Sequence, residues 1–142
     1  MDINIILNPA VLRIAGDDLL GNILGEVRVV KGPKKYNRMK NPCFTVENYK
    51  DIEIDPEHNG CQGSFLISFH SDNYKSGNAD IELMGQVVDR LKTIFDHNPF
   101  SLDDYQNYYL KVINISKAKT HKNISNQHYM TVEVEYKVVK TS

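Results

Sequence analysis

At 142 residues the chain is the size of one domain, and 41% hydrophobic with 25% charged residues is the balance of a globular protein with a real core. A net charge of −1 excludes a global field that would gather nucleic acid or a membrane surface. Two cysteines, Cys43 and Cys61, exclude a disulfide framework or a cysteine metal cluster and read as buried free thiols; they can bridge only if their strands are neighbours.

Met1–Leu7 alternates Ile3, Ile5 and Leu7 with Asp2 and Asn4, so residues 1–8 read as an extended arm. It lacks the basic start of a secretory signal. Asn8-Pro9 joins a capping residue to the one favoured at a first helical position, which predicts a short helix through Val11, Leu12, Ile14 and Ala15. Gly16 interrupts it. Asp18 can cap a second short helix holding Leu19, Leu20 and Ile23, which Gly25 ends. Val27, Val29 and Val30 make Glu26–Lys31 a short strand.

Residues 31–42 then read as a basic loop, followed by a strand over Pro42–Tyr49 with Phe44 and Val46 on one face. The acidic stretch Asp51–Asn59 reads as a loop or an edge. Gly60–His70 is a strand with Phe65, Ile67 and Phe69 on one side and Ser64, Leu66, Ser68 and His70 on the other. The turn residues SDNYKSG lead into a helix over Asn78–Phe95. Its stripe of Ile81, Met84, Val87, Val88, Leu91, Ile94 and Phe95 marks one buried face, and Asn98-Pro99 stops it.

Two strands follow, Asn107–Lys117 and Gln127–Lys140, joined by a polar loop over 117–126. In the second, Met130, Val132, Val134, Tyr136 and Val138 alternate with Tyr129, Thr131, Glu133, Glu135 and Lys137. That period marks a strand with one dry and one wet face. The whole reads as a single α+β domain over 1–142. An antiparallel sheet carries one long amphipathic helix and a short N-terminal helix packed on one face.

No nucleotide-loop, nucleophile-elbow or metalloprotease motif is present. Asp51, Glu53, Asp55 and Glu57 resemble the start of a calcium loop, but Pro56 stands where glycine is required and Gln62 where the distal glutamate belongs. Extended, the four carboxylates share one face and read as a solvated or partner-facing edge. None of the five histidines has ligand spacing. A thiol–imidazole pair from Cys43 or Cys61 would be a nucleophile, but no motif supports one. No catalytic, metal or cofactor residue is therefore assigned. No apolar run approaches the ~20 residues of a membrane span, so no membrane partner is expected.

Charge is uneven locally. Lys31, Lys34, Lys35, Arg38 and Lys40, with Tyr36 among them, crowd the first loop; Lys117, Lys119 and Lys122 mark the second. Solvated loops are the plain reading. The alternative is contact with an acidic partner or with passing DNA. Together with Glu53, Asp55 and Glu57 these are the candidate partner-contact residues. Basic and acidic segments on one small domain suit a head-to-tail ring.

The succession LRIAGDDLLGNILGEVRVV, a basic loop, NPCFTVENY, GCQGSFLISFHSDNYKSGNADIELMGQVVDRLKTIF, YYLKVINIS and HYMTVEVEYKVV resembles the tail-terminator (tail-completion) proteins of long-tailed bacteriophages. The resemblance spans Leu12 to Val139 and rests on element order rather than on a catalytic signature. Pro9 and Gly16 depart from the longer opening helix of that family. The resemblance implies a non-enzymatic virion protein of the tail-neck region, assembled in the bacterial cytoplasm. It implies a ring, a hexamer, that caps the tail tube, ends its polymerisation and docks the head-side connector. DNA would pass through the lumen without sequence-specific contact. Another neck or baseplate ring component of a phage-like particle, or a cytoplasmic protein-binding module unrelated to phage, are the alternative readings.

Overall fold

The computed structural model describes residues 3–32, 40–55, 60–72, 80–96, 99–102, 107–122 and 127–140. The elements in chain order are α1 (Ile3–Ala15), α2 (Asp18–Leu24), β1 (Val29–Lys31), β2 (Cys43–Asp55), β3 (Gly60–His70), α3 (Ile81–Asp96), β4 (Phe100–Ser101), β5 (Tyr108–Ile115), β6 (Lys119–Lys122) and β7 (His128–Lys140). The fold is α+β. Seven strands form one sheet in the order β1-β2-β3-β7-β5-β4, with β6 also on β7. Among the described residues only the β1–β2 pair is parallel. β5 pairs with the second half of β7 and β6 with its start, so the two lie end to end along one side of β7, opposite β3.

The expected extended arm is helix instead. α1 begins at Ile3, not at an Asn8 cap, and Pro9 lies inside it. Ile6, Leu7, Ala10 and Ile14 are all buried, and their spacing is one helical face. Pro9 removes the bond to the Ile5 carbonyl, a propensity cost of about 3 kcal/mol, and burial of that face outweighs it. The second helix is capped by Asp17 rather than Asp18: the Leu20 N–H donates to Asp17 Oδ2 at 3.0 Å. Gly25, at φ 79°, ends it as expected.

β2 outruns its expected end at Tyr49. Glu53, Ile54 and Asp55 pair with Gln62, Cys61 and Gly60, so much of the acidic stretch is strand, with bulges around Lys50. The expected loop over 117–126 contains strand β6, because Lys119–Lys122 finds a partner in β7. Lys31, expected to open the first basic loop, ends strand β1. Gly60 lets the backbones of β3 and β7 meet: a Cβ there would stand 1.8 Å from the Val138 carbonyl oxygen.

The core fills the helix-bearing face of the sheet. Phe44, Val46, Phe65, Ile67, Phe69, Leu110 and the alternating Met130 to Val138 set are buried there under α1 and α3. α3 contributes Met84, Val87, Val88, Leu91 and Phe95. Phe95 meets Phe65 edge-on at 5.9 Å and Phe100 at 5.5 Å. The opposite face is drier than the alternation predicts. Thr45, Ser64, Ser68, His70 and Thr131 are buried on it, because the sheet curls over that side.

Candidate assembly surface

The predicted contact residues separate along the strands. Lys31 sits on β1, where its Nζ donates to Asn8 Oδ1 at 2.7 Å and reaches Asn4 Oδ1 at 3.4 Å, tying the edge strand to α1. Lys119 and Lys122 are exposed on β6, at the other margin of the same end of the sheet, and Lys117 is exposed just before them. Lys40 is exposed beside Asn41, whose Nδ2 donates to Asp72 Oδ1 and Gln127 Oε1 at 3.1 and 3.2 Å. Lys34, Lys35, Tyr36, Arg38 and Glu57 lie outside the described residues, as does the side chain of Asp55. Glu53 is exposed near the far end of β2 and accepts a bond from Gln62 Nε2 at 3.1 Å. β2 thus runs from a lysine-bearing end to an acidic one.

Several residues at the surface carried no sequence signal. On the curled face, Tyr129 stacks between His70 and His121, each ring pair at 5.0 Å. His121 Nε2 lies 3.0 Å from Thr131 Oγ1. His121, Tyr129 and Thr131 border a groove of ≈ 270 Å³ that also meets Glu47, Tyr49, Leu66 and Glu133. Lys50 crosses the face to Glu133 at 3.3 Å and Glu135 at 4.0 Å; the bond to Glu133 raises its pKa. Asp17 holds Arg90 with two bonds, at 2.9 and 2.6 Å, and this guanidinium keeps its carboxyl below the usual carboxylate range. That pair fastens α2 to α3.

The two cysteines lie on neighbouring strands yet do not bridge. Cys43 is level with His70, at the far end of β3 from Cys61. Cys43 and His70 do bring a thiol beside an imidazole, but Cys43 is 1% exposed and its Sγ lies 3.8 Å from Asn41 Oδ1. Burial pushes the Cys61 thiol up, toward the inert protonated form. Among the described residues no group of three or more His, Cys, Asp or Glu is placed to hold a metal, and no helix is long and apolar enough to cross a membrane.

Both margins of the sheet are partly open. β1 covers β2 only from Phe44 to Val46, and β4 covers β5 only at Tyr109 and Leu110. Among the described residues no strand pairs with the outer side of Glu47–Asp55 or of Lys111–Ile115. Unpaired strand margins of this kind are ready surfaces for another chain.

No protein-family model matches the chain, and no curated protein matches it. Among solved structures it is similar to a chain from the virion of a native gene transfer agent particle. The TM-score is 0.63 and the identity 14%, over 93% of each chain. That likeness is one of fold, and it covers the sheet and its helices together.

Proposed function

We propose that this chain is a structural virion protein of a phage-like particle that closes the tail tube as a ring. The observation that carries this reading is the fold likeness to a gene transfer agent virion chain over 93% of both chains. Two features of the molecule support it. Its sheet leaves open margins on opposite sides, which suits a repeated heterologous contact that closes on itself. Its exposed charge includes a lysine-bearing end, with Lys31, Lys40, Lys117, Lys119 and Lys122, while Glu53 stands at the other end of β2 in a cross-strand row that ends at Lys111.

In this reading the ring, a hexamer, stops tube polymerisation and gives the head-side connector its docking surface. The lysine-bearing end, with Lys34, Lys35, Tyr36 and Arg38 in the adjoining segment, meets the acidic rim of the tube or lines the path of DNA. Glu53, Asp55 and Glu57 face the neighbouring subunit. The role is assembly rather than catalysis, and it is performed at the tail-neck junction of a particle built in the bacterial cytoplasm.

The test is arrest of tube growth. Tail tube protein from the same genome is polymerised with and without the chain. Shorter tubes, with a length distribution set by the amount of chain added, are expected. Unchanged tube length with no chain on the tubes overturns the reading. Binding to a connector or baseplate assembly instead of the tube would reassign it to another ring of the particle.

A further inference from the structure

From the geometry of the two open margins we infer which surfaces join one copy to the next: the β2 margin around Glu53 and Ile54 docks on the β5 margin at Lys111–Ile115. This rests on the ring reading above and names its interface. Ile54 is the most exposed large hydrophobic side chain among the described residues, at 83%. It lies on the helix-bearing face, in a row with Cys61, Val138 and Leu110, all buried. Among the described residues nothing covers this isoleucine.

The opposite margin offers a matching recess on the same face. A groove of ≈ 400 Å³ lies between α3 and β5, lined by Lys92, Asp96, Val112, Ile113, Asn114 and Ile115. Ile113 is itself 46% exposed. An exposed isoleucine on one margin and, on the other, Val112, Ile113 and Ile115 set in a recess that Lys92, Asp96 and Asn114 make largely polar form a head-to-tail contact, and such a contact closes into a ring when the rotation fits.

Charge agrees with shape. On the curled face Glu53, Gln62, Lys137 and Lys111 form one cross-strand row, with the acid at the β2 margin and the base at the β5 margin. A neighbouring copy set beside this row brings Glu53 to Lys111. Over Glu47–Asp55 the sequence holds four acids and one lysine, while Lys92 lines the recess beside Asp96, and Lys111 precedes and Lys117 follows its β5 residues in the chain. Strand direction agrees as well. β2 and β5 run oppositely, so cyclic repetition sets them antiparallel with helices kept on one side. Both margins carry bulges, which interrupt a continuous backbone ladder. The contact is therefore led by side chains: Ile54 in the recess and Glu53 against Lys111.

Disulfide trapping tests this. The double variant Ile54→Cys/Ile113→Cys, oxidised under mild conditions, should give a ladder of linked oligomers. The two positions lie on different margins of one chain, yet Glu53 and Ile113 border one cavity of ≈ 220 Å³ across the curled face, so an internally bridged monomer in place of the ladder would overturn the inference. Each single variant should stay unlinked, and the native cysteines are too buried to contribute. In this background Lys111→Glu should lower linkage about fivefold, the scale of one exposed ion pair. Adding Glu53→Lys should restore it. A dimer from Ile113→Cys alone would indicate a two-fold contact and overturn the inference, as would a double variant that folds by circular dichroism yet forms no ladder. Tube arrest is read separately. A chain that shortens tubes without trapping leaves the tail role standing and removes this interface; one that traps without shortening tubes does the reverse.

Discussion

Replacing Tyr136 with phenylalanine should make this protein more stable. Tyr136 faces the core from β7, is fully buried, and among the described residues its hydroxyl has no hydrogen-bond partner. Burial pushes its phenol well above the ordinary tyrosine range. The hydroxyl lies over Gly63 of β3: a Cβ at that position would stand 2.9 Å from Oη and 3.2 Å from Cζ. An unpaired buried hydroxyl costs about 1–3 kcal/mol. Tyr136→Phe removes that cost while keeping the ring stacked on Phe65 at 5.9 Å. A gain of about 1 kcal/mol is expected, or about 3 °C in Tm for a domain of this size. Gly63→Ala should lose about 1–2 kcal/mol through crowding, and Tyr136→Phe should recover much of that loss. Urea unfolding of the four proteins, with unchanged slope, measures the cycle. A Tyr136→Phe variant that loses 1 kcal/mol or more would show that the hydroxyl is paired and refute the reasoning.

Asp17→Ala should cost about 1 kcal/mol for the helix cap alone, with the loss of Arg90's partner added to it, read by chemical denaturation. Because the folded-state pKa of Asp17 lies below its unfolded value, its stabilisation is complete above that unfolded value, about 3.9, and fades as pH falls through the folded one. The stability gap between wild type and Asp17→Asn should therefore close on acidification. Gly60→Ala should disrupt the β3–β7 pairing, because a Cβ meets backbone at 1.8 Å; loss of amide protection along the end of β7 would reveal it. Phe65→Ala, which empties the junction of Phe95 and Tyr136, should cost about 3–5 kcal/mol in the same denaturation experiment.

The parts of the fold that read clearly from sequence are those where burial repeats with a fixed period. The β7 alternation of Met130 to Val138 and most of the α3 stripe became core, but Ile81, expected to open that stripe, is exposed in the first turn of the helix. The misread parts are decided by distant partners. Asn8-Pro9 read as a helix start, but the buried face of Ile6, Leu7, Ala10 and Ile14 carries the helix back to Ile3. The acids of β2 have poor strand propensity, yet Glu53 and Asp55 find partners in Gln62 and Gly60. β6 has four residues and no apolar pattern; only β7 defines it. Between Asp17 and Asp18, backbone geometry chose the cap, and sequence order could not. The surface was the least legible. Basic residues from separate segments flank one end of the sheet through strand pairing, and neither the Tyr129 stack nor the exposure of Ile54 follows from local composition.

Electron microscopy of the purified chain mixed with tail tubes tests the central claim most directly. The account predicts rings seated on one end of each tube, with the helices outside and the curled sheet face toward the channel. Tubes whose two ends stay bare at saturating chain, with no ring on either, would contradict it.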